Sequence, residues 1–172
     1  MRQRREKFDE CQQAGKLKIA ELPREIRGVM VPVTDGRLLL PNATVAEVIS
    51  YTKPEPVSNA PAWLLGRLAW RGWRLPLFSF PMLVGQLEDE SRTNARVAVL
   101  KALGGNAGMP FIALLAQGFP RLTTITQELL IPTSDQHQFA PGVRAEVLVR
   151  DDRATIPDLD VIEDMVARAL AA

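Results

Sequence analysis

The stretch Pro61 to Pro76, PAWLLGRLAWRGWRLP, holds all three tryptophans of the chain and three of its arginines within sixteen residues. It contains no nucleophile, no metal ligand and no catalytic trio. Large apolar groups punctuated by Gly66 and Gly72 suit packing and contact with another protein. Pro61 tolerates a first helical turn and Gly66 suits a helix stop, which predicts one short helical turn over residues 60–66. Two short strands are expected next, over 67–70 and 74–80, with Arg71-Gly72-Trp73 as the turn between them. The tryptophans are expected to divide between core and surface. Tryptophan and arginine are also the residue types enriched at binding hot spots.

The flanking sequence repeats this pattern of short apolar runs between turns. Val29 to Val33 and Leu38 to Leu40 are separated by Thr34-Asp35-Gly36-Arg37. Asp-Gly between two apolar runs predicts a hairpin with positive φ at both central residues. Val45 to Ile49 is a further β-branched run, and Thr52 to Pro61, with three prolines, is a loop. Strands are expected over 96–100 and 109–116, joined by the flexible glycine-rich segment 104–108. That segment lacks the Gly-Lys-Ser/Thr ending of a phosphate cradle. Further strands are expected over 129–132, 143–150 and 154–156. Ile162, Met165, Val166, Ala169 and Leu170 then fall on one face of a helix, capped by Asp158 or Asp160. Many short strands and one closing helix predict an all-β fold of the barrel or sandwich class.

Composition narrows the function. With 172 residues and 47% apolar content the chain is long enough for a real core. Its 21 basic and 20 acidic residues nearly cancel, which argues against a dedicated nucleic-acid binder. Cys11 and His137 are the only residues of their types. An internal disulfide, a cysteine zinc cluster and most histidine chemistry are therefore excluded. No cofactor and no metal is expected, and the chain reads as a non-enzyme. His137 lies in a polar loop and reads as solvent-exposed. Asp151, Asp152, Asp158 and Asp160 do not match the spacing of a calcium loop and read as caps and a solvated turn.

No apolar run reaches the roughly 18 residues needed to cross a bilayer, and the charged start MRQRREKFDE is not a secretory signal. A cytoplasmic protein with no membrane insertion is expected. Residues 1–18 carry six Lys or Arg against three Asp or Glu. Residues 1–25 are expected to form a basic, flexible extension ahead of a folded domain over 26–172. Glu47 and Arg71 stand out as charges set among strand-like apolar positions. An arginine fork can hold a carboxylate rigidly, although the residues alone favour two unrelated exposed side chains.

The ordered set Leu38-Leu39-Leu40-Pro41, Val45 to Ile49, Pro61 to Gly66, Trp70-Arg71-Gly72 and Leu75-Pro76-Leu77 resembles the chemotaxis coupling-protein family, the CheW-like domains. Ile156 to Asp160 before the last helix resembles that family's ending. The resemblance covers roughly Ile26 to Ala169. It implies two small five-stranded SH3-like barrels sharing an apolar core, with a C-terminal helix. It also implies a non-catalytic adaptor that couples a chemoreceptor's cytoplasmic tip to the regulatory domain of a histidine autokinase. By this resemblance Glu47 and Arg71 form a surface pair near the receptor-binding face, with Val45 and Gly72 beside them as protein-binding residues. The chain departs from the family where Leu77-Phe78-Ser79-Phe80 lacks the usual aspartate. The loop 57–62 and the tryptophan-rich turn look more like the coupling proteins of pilus-type systems, which points to type IV pili and twitching motility. The competing reading is a small-barrel nucleic-acid-binding protein that uses its aromatics as stacking platforms.

Overall fold

The computed structural model describes residues 25–133 and 139–172. The extension expected at 1–25 lies outside these residues except for Glu25, as do Cys11 and His137.

Eleven strands form two sheets among the described residues. In chain order they are β1 (Glu25–Val33), β2 (Gly36–Pro41), β3 (Val45–Ser50), β4 (Leu64–Trp70), β5 (Trp73–Phe78) and β6 (Arg96–Lys101). Then come β7 (Phe111–Ala116), β8 (Arg121–Thr126), β9 (Leu130–Pro132), β10 (Val143–Val149) and β11 (Asp152–Pro157). Two α-helices accompany them, α1 (Phe80–Leu83) and α2 (Leu159–Ala171). The first sheet runs β8-β1-β2-β11-β10-β9 and the second β3-β6-β7-β5-β4. Neighbours are antiparallel except for β2 with β11 and β5 with β7, which are parallel. The fold is the expected pair of small barrels, with the short β9 making six strands in the first sheet.

The continuous apolar runs have a physical cause. A strand covered on both faces has no solvent side and needs no polar alternation. In β6, Val97 and Val99 face the interior of the second barrel, while Ala98 and Leu100 face a core shared with the first. In β7, Ile112 and Leu114 join the shared core, and Ala113 and Leu115 the second barrel's own. In β2, Leu38 and Leu40 face the shared core and Leu39 the interior of the first barrel. Helix α2 closes the shared core with Ile162 and Val166. The Asp158 side chain accepts from the Val161 amide at its start.

Four expectations need correction. Leu64-Leu65-Gly66 belongs to β4 and is not a helical turn. Alternating burial along Leu64, Gly66 and Leu68 overrides the proline and glycine signals, and Gly66 fits because a side chain there would collide with the Glu55 carbonyl. The first hairpin turns at Thr34-Asp35, one residue early, with positive φ at Asp35 and with Gly36 already paired to Val33. The 104–108 connection is not free at its start. The Leu103 and Gly104 amides donate to the buried Glu163 carboxylate of α2 at 2.6 and 2.7 Å. Finally, β8 is a strand that the sequence pattern does not announce.

Two β-bulges matter here because they aim side chains. One extra residue in a strand reverses the facing of the residues beyond it. In β3, Val45 pairs with Leu100 and Glu47 with Val99, so the extra residue is Ala46. Without the bulge Glu47 would share Val45's face, toward the shared core. With it, Glu47 shares the face of Val99, toward the second barrel's interior. A matching bulge at Leu65 does the same for β4.

Candidate protein-binding surface

Strands β3 and β4 occupy opposite ends of the second sheet's strand order, so Glu47 is not on a strand hydrogen-bonded to the Trp70–Arg71 region. It reaches that region across the barrel seam. One oxygen, Oε2, accepts from Trp70 Nε1 at 2.8 Å and pairs with an Arg71 terminal nitrogen at 3.1 Å. The two residues singled out in the sequence are thus brought together, on the rim of the second barrel. An ion pair this exposed contributes about 0–1 kcal/mol. Its main effect is to orient the guanidinium.

The β4–β5 hairpin presents Arg71 and Gly72 as a two-residue loop, because Trp70 pairs directly with Trp73. Both loop residues have positive φ, 44° and 81°. Gly72 adopts this freely, whereas Arg71 bears a cost of about 1–2 kcal/mol. Positive φ at both positions matches the strand twist in two-residue hairpins.

An aromatic group lies beneath the pair. The Trp70 and Phe111 rings meet edge to face at 5.0 Å, and Trp73 and Phe111 at 6.3 Å. The Arg71 guanidinium carbon sits 5.2 Å from the Trp70 ring. Trp70 is half-buried against the second barrel's core, Trp63 against the shared core, and Trp73 is exposed. The tryptophans therefore divide as expected. A second ion pair ties Arg74 of the hairpin to Glu55 in the loop before β4. Val45 is half-buried and packs on the shared core, on the face of β3 opposite Glu47, so it is not part of the ion-paired node. Phe111 was missed in the sequence, where it was simply one member of an apolar run.

A second carboxylate does unrelated work. Glu90, in the polar loop after α1, is buried. It accepts from the Thr34 amide and hydroxyl at 3.2 and 2.7 Å, from Gln117 at 3.0 Å, and from the Ser79 hydroxyl. Ser79 lies in the run that lacks the family's aspartate. Here it caps α1, and Glu90 brings a carboxylate to it.

The sequence matches the CheW-like domain family over residues 27–165. The chain belongs to the CheW-like family. No curated protein matches it by sequence. Among solved structures it is similar to the scaffolding protein TtCheW from Thermoanaerobacter tengcongensis, with a TM-score of 0.65 at 16% identity, covering 81% of this chain and 88% of that one. Among the described residues no group of three or more His, Cys, Asp or Glu could hold a metal ion. No helix among them is long and apolar enough to cross a membrane.

Proposed function

We propose that this CheW-like chain is a non-catalytic, cytoplasmic adaptor that couples a chemoreceptor's cytoplasmic tip to a histidine autokinase through the kinase's regulatory domain. The observation that carries the reading is the Glu47–Arg71 pair seated on the Trp70–Phe111–Trp73 group. It is an apolar barrel end rimmed by charge, the composition of a binding hot spot. Glu47, Arg71 and Gly72 form the contact surface, and Val45 seats β3 on the shared core. The loop 57–62 and the tryptophan-rich hairpin support a role in a type IV pilus, twitching-motility pathway.

Calorimetric titration of the full chain with the cognate kinase's regulatory domain is expected to give saturable binding. Reversing the charge, Arg71→Glu, is expected to weaken receptor coupling while leaving the circular dichroism spectrum intact. Arg71→Gly is the gentler test, because glycine accepts the positive φ without strain while the side chain and its charge are removed. No association at high micromolar concentration would reject the adaptor role. Unfolding of both Arg71 variants would make Arg71 structural.

A further inference from the structure

The first barrel carries a second surface that the Glu47 site does not use. A cleft of about 510 Å³ opens where the β1–β2 turn, the β10–β11 turn and the 117–120 connection meet. Its floor is apolar, formed by Met30 and Val149. Its walls carry Arg37, Arg121 and Arg150. Arg37 is neutralised by Asp152 at 2.9 Å. Among the described residues, Arg121 and Arg150 have no carboxylate partner, so the cleft keeps a positive excess.

Two large apolar side chains stand at this cleft in solvent, Phe119 at 67% exposure and Leu122 at 74%. Phe119 is held in place. The Arg96 guanidinium lies 4.4 Å from its ring centroid, and Arg96 is itself anchored on Ser50 Oγ at 2.7 Å. Leu122 sits on β8, which ends the strand order of its sheet and pairs with β1 alone among the described residues. An edge strand leaves a row of backbone donors and acceptors open to another chain.

Free guanidinium groups, ordered exposed apolar groups and an open strand edge call for a ligand with all three complements. A small anion would satisfy the arginines and leave Phe119 and Leu122 in water. A nucleic acid would find one face of Phe119 already taken by Arg96 and would leave the backbone groups of the β8 edge unpaired. The chain's own residues 1–24, with seven Lys or Arg against four Asp or Glu, have the wrong sign.

We propose that this cleft and the β8 edge bind an extended acidic segment of a partner protein. Its main chain pairs with β8, a carboxylate lies between Arg121 and Arg150, and an apolar side chain covers Phe119 and Leu122. A labelled peptide the length of β8, six residues of alternating glutamate and valine, tests this by fluorescence anisotropy with the full chain at low salt. Saturable binding is expected with Kd of about 100 µM or tighter. Arg121→Glu with Arg150→Glu is expected to weaken it at least about tenfold, as is Leu122→Ser. Arg71→Glu is expected to leave it unchanged, which separates this surface from the adaptor site. If charge reversal disturbs folding, the Arg121→Ser, Arg150→Ser pair serves instead. Equal binding by the double variant, equal binding of the lysine-for-glutamate peptide, or no saturation by about 1 mM overturns the proposal. So does tighter competition by a single-stranded oligonucleotide, or self-association that depends on Arg121, which would assign the surface to nucleic acid or a second copy.

Discussion

Glu90 and Glu47 each join distant parts of the chain through one carboxylate, yet Glu90 is 2% exposed while the Glu47 side chain keeps 36%. Glu90 is surrounded by neutral donors drawn from the β1–β2 turn, the cap of α1 and the end of β7. Deleting it strands the buried Ser79 hydroxyl, which water does not reach, and unties the half-buried donors of Thr34 and Gln117 from it. Glu47 meets one cation and one indole at a rim that water reaches. Deleting it costs little stability, because solvent takes over. The same residue type therefore fixes the relative placement of elements in one region and leaves a contact surface adjustable in the other.

The contrast can be broken by measurement. Glu90→Ala is expected to lower stability by about 2–4 kcal/mol in urea denaturation, and a loss below about 1 kcal/mol would remove the distinction. Glu163→Ala, which frees two loop amides from α2, should cost about 2 kcal/mol. Gly72→Val, forcing a β-branched residue to φ 81°, is expected to cost about 1–2 kcal/mol in thermal melts. Glu47→Gln should change stability by no more than about 0.5 kcal/mol, while weakening receptor coupling as Arg71→Glu does. A large stability loss there would make Glu47 a second Glu90.

The parts legible in the sequence are those fixed by neighbours in the chain. Leu38 to Leu40, Val97 to Leu100 and Ile112 to Ala116 announce strands, because covering both faces leaves no polar position. The α2 face and the Asp158 cap are likewise local. Strand β8 was not legible, since Arg121-Leu122-Thr123-Thr124 is an edge with no buried residue on either face and so no apolar alternation. Leu64 to Gly66 misled because a bulge glycine looks like a helix stop. Glu90 carries no local sign of its role, because its partners at Thr34 and Gln117 are 56 and 27 residues away. The residues of the Glu47–Arg71 pair were identifiable, but not its geometry, which depends on the bulge at Ala46 and on closure of the barrel.

The chain order of the sheets has a consequence for synthesis. Strands β3 to β7 complete the second barrel as one uninterrupted stretch, while the first barrel takes β1 and β2 from one end and β8 to β11 from the other. Arg37 and its partner Asp152 lie 115 residues apart. At about 5–20 residues per second on the ribosome, the β1–β2 hairpin waits on the order of ten seconds for β11. Over that interval the inserted barrel can fold first and shelter Leu38 and Leu40 against its own outer face, so the second barrel serves as a template on which the earliest strands are kept until their last partner emerges.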